Sequence, residues 1–270
     1  MSTINTNVNA LFAQNALKVN DRSLTKAMQQ LSTGSRINSS GDDAAGLAIG
    51  TSMTAQIRGL NMAVRNANDG ISMLQTAEGA MVEQTNMLQR MRELAVQATT
   101  ATYNTTQLGY LDTEFQALDT QINNIASNTK WNGSTVLAAT ATKSFVVGSA
   151  GSETISVTLT ATDTTTLATT SLVVSSASSA ATAVTAIDTA LASISSARAS
   201  IGAGINQLTY AADNLTNVSQ NLVASRSQIV DTDYATATTQ LARSQIIQQA
   251  ATAMLAQANQ QPQTVLALLK

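Results

Sequence analysis

The 270-residue chain has no cysteine and no histidine. Those two absences exclude disulfides, thiolate nucleophiles, imidazole bases and nearly every transition-metal site, and with them most hydrolytic and redox chemistry. Charge is also scarce: 11% of residues, with 14 Lys+Arg against 16 Asp+Glu. Such a surface lacks the field that draws nucleic acid or anionic lipid, so no nucleic-acid partner is expected. The single proline, Pro262, leaves the first 261 residues without the strongest interrupter of helices. Aromatics make up 3%, so the 44% hydrophobic content rests on Ala, Leu, Ile, Val and nine Met, small or pliable side chains that let helices approach closely. No run nears 18 consecutive apolar residues, and MSTINTNVNALFAQ has neither the cationic start nor the unbroken apolar stretch of a secretory signal. Neither membrane insertion nor signal-peptide export is expected. What remains is ample for one large domain or two ordinary ones.

The middle of the chain differs from its flanks. Between Thr140 and Thr185, 22 of 46 residues are Ser or Thr, with only Lys143, Glu153 and Asp163 charged. Lys143–Val147 and Thr154–Thr160 carry alternating or β-branched residues around a Gly148–Glu153 turn, which predicts a β-hairpin. The remainder, through Ala180, is poor in large apolar groups and is expected to be a surface excursion.

Both flanks have helical periodicity. Leu17, Leu24, Met28 and Leu31 step by seven, four and three, which predicts one apolar stripe. Ile247, Ala251, Met254, Ala258, Gln261, Val265 and Leu268 alternate steps of four and three, the spacing of a coiled-coil seam. A lone amphipathic helix cannot bury its apolar face, so each stripe requires the opposite terminus or another copy of the chain. A second helix is expected from Ala44 to about Thr100, bearing Leu47, Ile57, Leu60, Val64, Ile71, Leu74, Met81, Leu88 and Val96. Sixty such residues would reach roughly 90 Å. Further helices are expected over Leu108–Ser127 and Ala180–Val230. The fold class is therefore mainly α, an elongated antiparallel helical bundle or coiled coil with a small β-hairpin excursion and both chain ends at one pole. Pro262 is expected to kink or restart the last helix.

No residue supports catalysis. Adjacent Asp42 and Asp43 diverge at a helix start and suit capping. Asp231-Thr-Asp233 opens like a calcium loop, but Thr236 and Ala242 occupy the positions that need glycine and a bidentate glutamate. Gly46, Gly50, Gly202 and Gly204 follow no strand and adjoin no Gly-Lys-Ser/Thr element, so they suit close packing rather than a phosphate cradle. Arg90 and Arg92 are read as a solvated face with local ion pairs. No catalytic, metal or cofactor site is expected.

Several ordered segments resemble one family. INTNVNALFAQNAL at 4–17, QQLSTGSRINSSGDDAAGLAI at 29–49, LQRMRELAVQ at 88–97, WNGSTVL at 131–137, SQIVDTDYA at 227–235 and QIIQQAATAMLAQANQQPQTVLALLK at 245–270 are similar to bacterial flagellin, leaving out only the Thr140–Thr185 region. The resemblance implies a homopolymeric subunit of the flagellar filament. It also implies passage through the flagellar type III export apparatus, with a flagellin chaperone, the filament cap and hook–filament junction proteins as partners. Residues 1–40 with 231–270 would form an inner coiled-coil domain ordered by assembly, and 41–230 a rod domain. The 46-residue insert is too short for a large outer domain. Arg90, Leu94 and Glu114 occupy the family's positions for recognition by a host Toll-like receptor, in the free subunit only. Head-to-tail contacts that do not close on themselves generate a helix rather than a ring, which suits such a polymer. A hook–filament junction protein and an intracellular coiled-coil chaperone or signalling rod are the alternatives.

Overall fold

A computed structural model describes residues 6–268, with side chains as far as residue 260. Among the described residues, helices α1 (Val8–Thr33), α2 (Ala44–Ala98), α3 (Thr105–Asn128), α4 (Ala177–Val230) and α5 (Tyr234–Leu268) dominate. Two short antiparallel pairs complete the list: β1 (Lys130–Trp131) with β2 (Ser134–Thr135), and β3 (Ala141–Val146) with β4 (Thr154–Leu159). The fold is mainly α with a small β-hairpin. Its contacts divide into two compact units, one of the described residues up to Ala55 with those from Asn221 on, the other Gln56–Gln220. Helices α2 and α4 each contribute to both. Within the first unit the start of α2 meets the end of α4, where a Cβ at Gly50 would lie 2.8 Å from Val230.

The Gln56–Gln220 unit is organised by two heptad stripes. On α2, Leu60, Ala63, Ala67, Leu74, Ala77, Met81, Leu88, Met91, Ala95 and Ala98 are buried, with Gly70 and Gln84 filling the gaps in the 3–4 alternation. On α4, Ala183, Ile187, Ala190, Ile194, Ala197 and Ile201 alternate small and branched side chains along the buried face. Small residues on one heptad position allow close approach while isoleucines on the other fill the space between helices. The two helices run antiparallel: Arg92 pairs with Asp188 at 2.6 Å, and Ser219 bonds Asn61 at 3.2 Å. By length and composition α4 also reaches the threshold of a membrane span, with an 18-residue window of mean hydropathy 1.2, but its apolar stripe is packed inside this unit. Helix α3 opens with a capping box, Asn104 accepting from the Gln107 amide at 2.9 Å while the Gln107 side chain accepts from the Asn104 amide at 3.0 Å. It buries Phe115, Ile122 and Ala126.

The hairpin aligns Ala141 with Leu159 and Val146 with Thr154. Alternation puts Val157 and Leu159 inside while Thr154, Ser156 and Thr158 face out, where Ser144–Ser156 and Thr142–Thr158 hydroxyl pairs bridge the strands at 2.9 and 3.1 Å. Two glycines admit it: a Cβ at Gly70 would meet the Phe145 ring at 2.7 Å, and one at Gly204 would meet Val157 at 2.6 Å. Gly79 and Gly202, also inside helices, have open space. Gly70→Ala and Gly204→Ala are therefore expected to destabilise this unit by about 1–3 kcal/mol through overpacking. Gly79→Ala and Gly202→Ala should stabilise it by about 0.5–1 kcal/mol. Thermal melts of the four variants check the opposite signs.

Two sequence expectations are corrected, and one turn lies outside them. The segment after the hairpin is not a mere surface excursion: Ala161, Thr162, Thr164, Leu167, Thr169 and Val174 are buried. Long polar side chains capture its backbone, Gln84 Nε2 donating to Thr162 O at 3.2 Å, Gln116 Nε2 to Leu172 O at 2.6 Å, and the Val174 amide donating to Asp112 at 2.7 Å. Of the kink or restart expected at Pro262, the restart does not occur: α5 continues through Pro262 to Leu268, since near a helix end proline removes only one of many backbone bonds. Asn132 and Gly133 take φ of 46° and 82°, a two-residue turn that folds β1 onto β2 and was not read as a hairpin.

Candidate functional site

Chain ends meet in the α1–α5 pair. Asn7 caps α1, accepting from the Ala10 amide at 3.1 Å, and Gly34 ends it at φ 70°, its amide donating to Gln30 O. Asp233 caps α5, accepting from the Ala235 and Thr236 amides and the Thr236 hydroxyl. The hydroxyl bond and the two amides hold its carboxyl below the ordinary range. Side-chain amides of α1 then reach the backbone of α5: Asn7 Nδ2 donates to Ala258 O and Asn20 Nδ2 to Ser244 O, both at 2.8 Å, while Gln248 Nε2 donates to Asp21 at 3.1 Å. As numbers rise on one helix they fall on the other, so the pair is antiparallel with a constant register. A side chain as short as asparagine spans the gap only because Ala27, Ala237 and Ser244, all buried, keep the helices close.

That closeness sets which expected seam residues face inward. Leu17, Leu24 and Leu31 on α1, and Ala251 and Ala258 on α5, are half-buried along the contact. Met28, Ile247 and Met254 are instead exposed by 55%, 41% and 66%. Gln261, Val265 and Leu268 lie on α5, but their side chains fall outside the described residues. On α5 the line facing α1 runs Ala237, Leu241, Ser244, Gln248, Ala251, Leu255 and Ala258, a heptad phase shifted from the sequence reading. Small and polar residues go inside, and large apolar ones outside. Asn20, buried in the pair, was missed; a polar residue at a heptad contact position on α1 was its signal.

The outward face is a line of apolar groups. Phe12 (71% exposed) and Met254 flank a groove of about 530 Å³ floored by Ala13, Ala16, Ala251 and Ala258 with Asn9 and Gln257 at its edge, and a second, mixed groove continues past Val19, Gln240 and Arg243 to Ile247. Exposed large apolar groups gathered along one face, with polar groups between them, mark an interaction site.

At the base of the pair two connecting segments are tied together. Arg36 N donates to Val230 O at 2.7 Å, Thr232 N to Gly34 O at 2.9 Å, and the Arg36 guanidinium to Ile229 O at 2.7 Å. Asp43 caps α2 by accepting from the Gly46 amide at 2.8 Å, as the sequence suggests. Asp42 does something else. It accepts from the Asn38 and Ser39 amides and pairs with Lys26 of α1 at 2.9 Å, and these partners, Lys26 foremost, lower its pKa from 3.8 to about 2. Because the folded value lies below the unfolded one, this stabilisation is complete above about pH 4 and lost as pH falls toward 2. Lys26→Met should raise the Asp42 titration toward the ordinary range, checked by a carboxyl-resolved NMR titration; an unmoved midpoint would exclude the pairing.

Of the residues tied to receptor recognition, Arg90 and Glu114 come together at 2.9 Å, with half of each side chain exposed, and Arg90 also reaches Glu93 at 3.1 Å. These carboxylates raise the Arg90 pKa further, Glu114 most. Leu94, expected on the same surface, is 1% exposed: it belongs to the core beneath, because the α2 stripe turns that position inward. Among the described residues no cluster of three or more Asp or Glu gathers to hold a metal.

An antiparallel pair of the first and last helices with large apolar groups exposed, together with a heptad-packed unit, defines a helical structural protein. Family models agree: "Bacterial flagellin N-terminal helical region" matches residues 4–142 and "Bacterial flagellin C-terminal helical region" matches 184–269, and the chain belongs to the bacterial flagellin family. Flagellins are structural proteins that form the extracellular flagellar filament. The chain is 44% identical over 270 residues to a flagellin of Halalkalibacterium halodurans, covering 99% of both. It is 47% identical over 160 residues to Flagellin A of Vibrio anguillarum, covering 59% of this chain and 42% of that one, so it spans less than half the length of the Vibrio relatives it matches. Bacillus cereus flagellin superposes with a TM-score of 0.52 at 32% identity over 60% of this chain and 94% of that one. A putative flagellar hook-associated protein from Vibrio parahaemolyticus gives 0.61 at 12% identity, covering 70% and 100%, a likeness of fold alone.

Proposed function

We propose that this chain is a bulk subunit of a flagellar filament and that it polymerises through the outer face of the α1–α5 pair. The observation that carries the reading is the apolar line Phe12, Val19, Ile247 and Met254, exposed on a helix pair that has already used its small residues to close on itself. Residues 1–40 with 231–270 serve as the inner domain and 41–230 as the rod. Assembly buries the outer line and offsets the cost of ordering the ends, roughly 1–2 kcal/mol per residue for backbone alone, so ordering and assembly are coupled. Export through the flagellar type III channel, a flagellin chaperone, and contacts with the cap and hook–filament junction proteins follow from the same reading, as does secretion to the cell surface. The similarity to a flagellin over 99% of both chains favours the bulk subunit over a junction protein. In the free subunit, the exposed Arg90–Glu114 pair is the surface offered to a host Toll-like receptor.

Deleting residues 265–270 should leave the Gln56–Gln220 unit folded and abolish filaments. Sedimentation and electron microscopy after seeding with filament fragments check this, and normal polymers from the truncated chain would refute it.

A further inference from the structure

We propose that Met254 is an oxidation site that controls assembly: a hydroperoxide converts its thioether to the sulfoxide on the free subunit, and the oxidised subunit no longer enters the polymer. The inference rests on the reading that the outer face of the α1–α5 pair is covered by other copies.

The chain has no cysteine or histidine, so no thiol intercepts an oxidant and the methionine sulfurs are its softest nucleophiles. The structure ranks them. Met73, Met81 and Met91 are buried on α2, Met53 and Met87 are half-buried, and Met1 lies outside the described residues. Met28 is exposed but is not among the residues lining the Phe12–Met254 groove or the groove beside it. Met62 is also exposed, its Sδ accepting from the Arg65 guanidinium, but it is not among the residues lining either of those grooves. Met254 alone among these combines high exposure, 66%, with a place in the apolar groove beside Phe12, Ala16 and Ala251.

In the reaction the Met254 sulfur attacks one peroxide oxygen, an S–O bond forms and the O–O bond breaks, and the departing hydroxide takes the remaining peroxide proton as water. Sulfur gives up two electrons and the peroxide is reduced. The product carries a strong dipole and a new acceptor where the groove offers mainly methyl groups and a ring face. Burying that acceptor against a neighbour without a matching donor opposes association, by about ten-fold or more. Once the polymer has formed, the same burial shields the sulfur.

The test uses the full chain and internal controls. Free subunits are treated with limiting hydrogen peroxide, quenched and allowed to elongate filament seeds; polymer and residual subunits are then separated by sedimentation and the sulfoxide at each methionine is quantified by mass spectrometry. Met254 sulfoxide should be enriched about ten-fold in the unassembled fraction, while Met28 and Met62 sulfoxides divide evenly. A methionine sulfoxide reductase with a thiol reductant should return the excluded fraction to elongation as the Met254 signal disappears. Equal division of Met254 sulfoxide, or equal exclusion of Met28 sulfoxide, would overturn the proposal. Untreated subunits that fail to elongate seeds would instead sink the assembly reading beneath it.

Discussion

Phe12→Asp combined with Ile247→Asp is expected to leave the Gln56–Gln220 unit at its normal melting temperature and to eliminate seeded polymerisation. Both positions are exposed, so neither substitution creates a cavity or a buried charge in the single chain. Their effect is confined to what covers them. An unpaired carboxylate taken out of water at a contact costs several kcal/mol, and two such groups on adjoining grooves exceed what one interface of modest size returns. Elongation followed by light scattering should fall by at least about a hundred-fold. Lysine at the same positions should act alike, because desolvation rather than the sign of charge is responsible. Polymers forming at the normal rate would place the contact elsewhere.

The second large effect lies in the other unit. Phe115 is the largest fully buried side chain on α3. Phe115→Ala removes its apolar contacts and leaves a cavity that rigid helices cannot close, so a loss of about 3–5 kcal/mol is expected. Chemical denaturation should show a lower midpoint with an unchanged slope. The α1–α5 contact needs no residue of this side chain, so any surviving folded fraction should keep its ability to elongate seeds. A loss below about 1 kcal/mol would mean that the packing around Phe115 is looser than the structure indicates.

Much of this architecture was legible in the sequence. Helix α2 begins at Ala44 as expected, and α3 and α4 begin and end within a few residues of their expected limits, because caps and apolar periodicity are local signals. The β3–β4 hairpin was legible from its alternation, which turns Val157 and Leu159 inward and threonines outward. The phase of α5 was not. Ile247 and Met254 look like seam residues on hydrophobicity alone, yet close approach of α1 selects Ala237 and Ser244 for the inside and leaves the larger groups out. Helix separation is a tertiary property, and a heptad of apolar residues does not reveal which of two adjacent phases is closest. The buried segment around Thr162–Val174 escaped for a related reason. Counting large apolar groups misses burial driven by Gln84, Gln116 and Asp112 capturing backbone groups. Leu94 was placed on the recognition surface by family resemblance, whereas its place in the α2 stripe turns it into the core. At the base of the pair, Asp42 and Asp43 suggested capping together; Asp43 caps, and Asp42 reaches a lysine sixteen positions earlier in the chain, a contact that no local pattern announces.

The central claim, that the outer face of the terminal pair is sheltered by other copies, is tested most directly by amide hydrogen exchange read peptide by peptide on the free subunit and on the assembled polymer. Residues 8–33 and 234–260 should exchange markedly more slowly in the polymer, while the α2 and α4 stripes within Gln56–Gln220 change little by comparison. Equal exchange of the terminal helices in the two states, in preparations that electron microscopy confirms as subunit and polymer, would contradict it.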